Sequence, residues 1–126
     1  MIFPENLKYT KDHEWLSLEG DTGTIGVTDY AQGELGDVVF VELPTVGKEV
    51  KVGDIFGTIE AVKAVSDLFS PLTGVVVEVN SKLESEPELV NSEPYKGGWM
   101  VKIKLSNSSE VSTLLDSESY RALVGH

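Results

Sequence analysis

The chain has 126 residues, no cysteine, two histidines (His13 and His126), and a formal charge of −11 from 21 acidic and 10 basic side chains. A chain of this length is one domain's worth and can bury roughly two-thirds of its unfolded surface, so it needs neither metal nor disulfide to fold. Disulfides, thiolate metal sites and a cysteine nucleophile are excluded, two imidazoles are too few for a multi-histidine metal centre, and the acidic balance repels nucleic-acid phosphates.

No apolar run approaches membrane-spanning length. The start, Met1-Ile2-Phe3-Pro4-Glu5, lacks the basic residues and long apolar core of a secretory signal. The expected location is therefore the cytoplasm, with a processed mitochondrial form left open.

Residues 1–6 are expected to be an irregular arm. From Glu14 the run Glu14-Trp15-Leu16-Ser17-Leu18 alternates polar and apolar residues, as a half-buried strand does. A turn at Glu19-Gly20-Asp21-Thr22-Gly23 and a second alternating run, Thr24-Ile25-Gly26-Val27-Thr28, complete a first hairpin. Thr28 or Asp29 can cap a short helix over residues 30–35, which Gly36 can end. Residues 37–43 read as a strand stopped by Pro44, which cannot donate to a ladder.

An internal echo follows. Gly36-Asp37-Val38-Val39-Phe40-Val41 matches Gly74-Val75-Val76-Val77-Glu78-Val79, and residues 53–59 match residues 97–103. Two related halves of short strands suggest a compact β sandwich or barrel with pseudo-two-fold symmetry. Residues 81–91 form an insertion in the second half, with one helical turn expected. Residues 108–115 and 116–124 read as two short capped helices before Gly125.

The segment joining the halves is Gly57-Thr58-Ile59-Glu60-Ala61-Val62-Lys63-Ala64-Val65-Ser66-Asp67-Leu68-Phe69. Two apolar runs, 54–59 and 65–69, read as a hairpin with Lys63 near its tip. The joining residues 60–64 contain no Gly, Asn or Pro, so a tight primed turn is not signalled and a wider turn is expected. Glu60 and Asp67 favour a charged, unreactive ammonium, which argues against a Schiff-base lysine. An exposed lysine at a tip is instead a target for acylation by another enzyme. No phosphate loop or nucleophile elbow is present. His13-Glu14 is the one adjacent acid–base pair, and it reads more readily as a surface or capping pair than as a catalytic one. No catalytic residue and no metal site is expected.

The stretch Glu60-Ala61-Val62-Lys63-Ala64-Val65-Ser66-Asp67, followed by Ser70-Pro71-Leu72-Thr73-Gly74, resembles the lipoyl-attachment region of the glycine cleavage H-protein family. The resemblance extends through Tyr9-Thr10-Lys11-Asp12-His13-Glu14-Trp15, Gly26-Val27-Thr28-Asp29-Tyr30-Ala31, residues 35–44, Glu86-Pro87-Glu88-Leu89-Val90-Asn91 and Gly98-Trp99-Met100. It reaches the tail at Leu114-Leu115-Asp116 and Tyr120. Ala61 stands where the family commonly has serine.

The resemblance implies a mainly β barrel-sandwich hybrid of the lipoyl-domain type. One domain, residues 1–126, would have its core at about 14–105 and its helical tail at about 108–124. It implies lipoate joined by an amide to Lys63, in a turn that includes Glu60, Val62 and Ala64. It further implies a non-catalytic carrier that takes an aminomethyl group from a pyridoxal-phosphate glycine decarboxylase to a tetrahydrofolate-dependent aminomethyltransferase. Dihydrolipoamide dehydrogenase would reoxidise the arm, and a lipoate ligase or lipoyl transferase, directed by Glu60 and the folded hairpin, would attach it. The loaded arm would rest in a cleft with Glu14 and Asp67 as anionic acceptors, Asp12 nearby, and Val27, Leu35 and Ala64 as wall. Rival readings are a lipoate relay, a biotin carrier, the lipoyl domain of a 2-oxo acid dehydrogenase, and an unmodified acidic interaction module.

Overall fold

The computed structural model describes residues 1–125; His126, one of the two imidazoles of the chain, lies outside the described residues. The fold is mainly β. Strands β1 (Lys8–Tyr9), β2 (Glu14–Glu19), β3 (Thr22–Val27), β5 (Glu49–Val50), β8 (Gly74–Val79) and β9 (Val101–Leu105) form a six-stranded sheet in the order β1-β2-β3-β9-β8-β5. Strands β4 (Val38–Glu42), β6 (Ile55–Ala61) and β7 (Val65–Phe69) form a three-stranded sheet in the order β4-β6-β7. The two sheets enclose one apolar core that includes Leu16, Ile25, Val41, Ile59, Leu68, Val76 and Ile103, each at most 3% exposed. This is the barrel-sandwich hybrid, with no closed barrel.

The first hairpin forms as expected, with Leu16 opposite Ile25 and both facing the core. The half-buried alternation of β2 does not hold, because Glu14, Trp15 and Leu16 are all buried. Leu16 enters the main core, whereas Trp15 enters a second cluster with Leu7, Tyr9 and Tyr120. The C-terminal tail covers the sheet at this end, so both faces of β2 are dry there. The tail is held by paired backbone bonds between Tyr9 and Leu115, both 2.8 Å, and by the ring of Tyr120 stacked on that of Tyr9 at 4.8 Å.

The echo marks real pairs of strands, with one correction. β4 pairs with β6 and β8 with β9, each with an irregularity at the same echoed step, Val38/Phe40 in one and Val76/Glu78 in the other. Val38 faces Ala61, and its counterpart Val76 faces Ile103. The glycine-anchored match set Ile59 against Ile103, so it was displaced by two residues. A two-residue slip leaves every side chain on its original face, which is why hydrophobic pattern alone cannot detect it.

Helix α1 (Asp29–Leu35) has the expected caps. The Thr28 side chain accepts from the Ala31 N–H, and the Gly36 N–H bonds the Gln32 carbonyl. Seven residues are too few to stand alone as a helix, and the cap contributes about 1 kcal/mol. Ala31 and Leu35 pack against the core and supply the rest of its anchorage. The insertion holds two single helical turns rather than one, α2 (Lys82–Ser85) and α3 (Leu89–Ser92), burying Leu83 and Val90. In the tail, the first expected helix is a 3-10 helix, Ser108–Thr113, capped by Asn107. The second is α4 (Ser117–Leu123), capped by Asp116.

Candidate functional site

The hairpin of β6 and β7 is narrower at its tip than its sequence suggests. β6 continues through Ala61, because Ala61 pairs with Val38, and the Ala61 N–H donates to the Ala64 carbonyl at 2.7 Å. Only Val62 and Lys63 remain between those two residues. Neither has positive φ, so the turn is not of the primed type. The Val62 N–H donates to the Asp37 carbonyl at 3.0 Å, which ties the tip to the entry of β4.

That entry is itself fixed by Asn91 of α3. Its amide Nδ2 donates to the Gly36 carbonyl at 2.8 Å and to Gln32 Oε1 at 3.1 Å, while its Oδ1 accepts from the Val38 N–H at 2.9 Å. A role for Asn91 is invisible in sequence, since 53 residues separate it from Val38.

Lys63, Glu60, Val62 and Ala64 are all exposed, Val62 at 76%. Glu60 lies between Phe40 and Val65 on the outward face of the three-stranded sheet. The side chain of Lys63 folds over Gly36, its Cε 3.1 Å from where a β-carbon on that glycine would stand. Lys63 makes no ion pair among the described residues; those present are Lys102–Glu78 and Lys104–Asp21.

A cavity of about 260 Å³ is lined by Asp12, Val27, Leu35 and Asp67, together with His13 and Glu34, and its Leu35 wall immediately precedes the Gly36 over which Lys63 folds. Four residues expected in the cleft therefore converge from four places: the loop before β2, β3, α1 and β7. Ala64 does not line this cavity. Glu14 lines the neighbouring one, of about 420 Å³, with Thr10, Phe69, Ser70 and Leu114. Asp12 borders both cavities.

Glu14 is 1% exposed, which removes the surface-pair reading of His13-Glu14. Its Oε2 accepts from the Phe69 N–H at 2.9 Å and its Oε1 from the Thr10 hydroxyl at 3.0 Å. Burial pushes its pKa up to about 8, against the two hydrogen bonds, which favour the anion, and with help from the nearby Asp12. A buried carboxyl of this kind ionises readily once a cation arrives to share its site. His13 is the one non-glycine with positive φ among the described residues, at 69°, and its Nδ1 meets the Tyr120 hydroxyl at 2.9 Å. Burial lowers its pKa, opposed by Asp12 and Glu34.

Two facing sheets present Lys63 exposed at a two-residue hairpin tip, with no ion pair among the described residues. A family model described as Glycine cleavage H-protein matches residues 7–126. Glycine cleavage system H proteins from Bacteroides fragilis and Staphylococcus haemolyticus are 55% and 54% identical, over 98% and 99% of both chains respectively. A crystal structure of a glycine cleavage system H protein from Mycobacterium marinum superposes with a TM-score of 0.90 at 36% identity, covering 98% of this chain and 99% of that one. The chain belongs to the glycine cleavage H-protein family, the carrier component of the glycine cleavage system. No helix among the described residues is long and apolar enough to cross a membrane.

Proposed function

We propose that Lys63 carries lipoate through an amide. On this reading the domain moves an aminomethyl group from a pyridoxal-phosphate glycine decarboxylase to a tetrahydrofolate-dependent aminomethyltransferase in the cytoplasm, and dihydrolipoamide dehydrogenase restores the arm. Lipoate supplies the dithiol that this cysteine-free chain lacks. The single observation that carries the reading is the exposed Lys63 ammonium, free of ion pairs, beside a hollow with an apolar wall and an acidic rim.

The chain's own residues divide the work. The Ala61–Ala64 bond and the Asp37–Val62 bond hold the tip in one geometry, so a modifying enzyme meets a preformed target. Val27 and Leu35 exclude water from the hollow, while Asp12 and Asp67 attract a cationic amine at its rim. Glu14 stands behind Asp12 as a further acceptor that can ionise when the amine is present.

The test is reconstitution of glycine cleavage with the parent chain and with Lys63→Arg, which retains charge and approximate length. Loss of glycine-dependent carbon dioxide release in the variant is expected. Undiminished turnover by Lys63→Arg would overturn the assignment.

A further inference from the structure

The hydrogen bonds around Tyr120 determine which nitrogen of His13 carries its proton. Thr28 and Tyr120 are fully buried, and Thr28 Oγ1 lies 2.7 Å from the Tyr120 hydroxyl. Thr28 Oγ1 already accepts from the Ala31 N–H as the cap of α1. Its hydroxyl hydrogen has one acceptor among the described residues, the Tyr120 oxygen. The hydrogen of Tyr120 then has one place to go, Nδ1 of His13 at 2.9 Å. An Nδ1 that accepts leaves the ring neutral, with its hydrogen on Nε2. In the opposite arrangement Nδ1 donates to Tyr120 and Tyr120 donates to Thr28, stranding a buried hydroxyl hydrogen, which is disfavoured.

The ring is also held in place. The His13 N–H donates to the Thr10 carbonyl and its carbonyl accepts from the Thr28 N–H, both at 3.1 Å, across a backbone fixed at φ 69°. Nδ1 is turned to Tyr120, and the ring lines the hollow beside Lys63, so Nε2–H is the group it offers there. The groups facing His13 are Asp12 from its own loop, Tyr30 and Glu34 from α1, Tyr120 from α4, and Asp67 from β7 across the hollow.

We propose that Tyr120 of the C-terminal helix is a positioning residue for the hollow: with Thr28 it fixes His13 as the neutral Nε2–H tautomer, a donor without positive charge beside Asp12 and Asp67. A charged imidazolium there would cancel part of the acidic field that a cationic amine needs. The tail helix thus acts on the charge of a site it does not line. This inference rests on the reading of the hollow as the resting place of the loaded arm. Burial of His13 acts in the same direction, opposing its protonation.

The experiment uses the full lipoylated chain labelled with nitrogen-15. Long-range proton–nitrogen correlations at pH 7.5 report the tautomer, and His13→Gln separates the signals of His13 from those of His126. An Nε2–H pattern for His13 is expected; an Nδ1–H pattern, or a mixture like that of a free imidazole, would overturn the proposal. Tyr120→Phe keeps the ring on Tyr9 but removes the hydroxyl. With it, the tautomer bias is expected to disappear and the His13 pKa to rise, while burial still holds it below its ordinary value. Between pH 8 and pH 6 the lifetime of the loaded arm is then expected to fall about threefold further in Tyr120→Phe than in the parent, whose own change reports Glu14. An unchanged tautomer and lifetime in Tyr120→Phe would refute the role of Tyr120. Should the parent's loaded arm decay as fast as that of a loaded unfolded peptide, the hollow is no resting place and the positioning role falls, while the tautomer result stands independently.

Discussion

The ε-carbon of Lys63 lies 3.1 Å from the position a β-carbon on Gly36 would occupy. The glycine that ends α1 thus serves as the floor beneath the lysine's aliphatic stem. Gly36 adopts φ 78° and ψ −160°, a region that glycine alone occupies readily. Gly36→Ala is expected to destabilise the domain by about 1–3 kcal/mol through that backbone requirement. The flexible lysine can move aside, so lipoylation of the folded fraction should continue. Thermal melting and an attachment assay on the same preparation separate the two effects; a variant as stable as the parent would contradict this account of the floor.

Glu14 makes stability depend on pH. Its folded pKa, about 8, stands above the ordinary value of 4.5, so the folded state retains a proton that the unfolded state releases. Its contribution is fully present below pH 4.5 and is lost as pH rises through 8. Glu14→Gln cannot ionise and escapes that loss. The difference in melting temperature between variant and parent should move in the variant's favour from pH 5 to pH 9. A difference independent of pH would show that Glu14 is not held protonated.

The acidic rim should protect a loaded arm. Charge-assisted hydrogen bonds contribute roughly 1.5–3 kcal/mol when shielded, and solvent reduces the share of exposed Asp67. Replacing Glu14 by Gln and Asp67 by Asn together should shorten the loaded lifetime by about tenfold, the equivalent of one pKa unit of interaction. Release of ammonia and formaldehyde measures this. A double variant that releases them no faster than the parent argues against the protective hollow.

The attachment enzyme should read the folded tip. A free peptide must be ordered on binding, whereas the domain already holds Val62 and Lys63 between bonded neighbours. A peptide spanning residues 57–69 is expected to be lipoylated more slowly than the folded chain. Equal rates would show that the local sequence suffices.

Much of the architecture was legible because strands announce themselves locally. Alternation located the first hairpin, Thr28 and Gly36 marked the ends of α1, and the repeated Gly36 and Gly74 stretches exposed the two halves. The two-residue offset between the halves was not legible, because side-chain period in a strand is two. Nor was the burial of Glu14, since a carboxyl in alternating sequence looks like a solvent-facing position until a tail from 100 residues later covers it. Asp12, Val27, Leu35 and Asp67 line one hollow, whereas Glu14 lies in the adjoining hollow and Ala64 in neither. Asn91, Tyr120 and the place of Gly36 beneath Lys63 acquire their roles only through long-range contact. Sequence offered a faint signal for them, their presence in family-like stretches, but no spacing that assigned a chemistry.

The claim on which the rest depends is that Lys63 is the lysine that is modified. Trypsin cuts after charged lysines, so acylation of Lys63 should fuse two fragments into one running from Val52 to Lys82. After incubation of the folded chain with lipoate, ATP and a lipoate ligase, mass mapping is expected to show that fused fragment carrying one lipoyl increment, with every other lysine unmodified. A lipoyl increment on another lysine, with cleavage after Lys63 intact, would contradict the account.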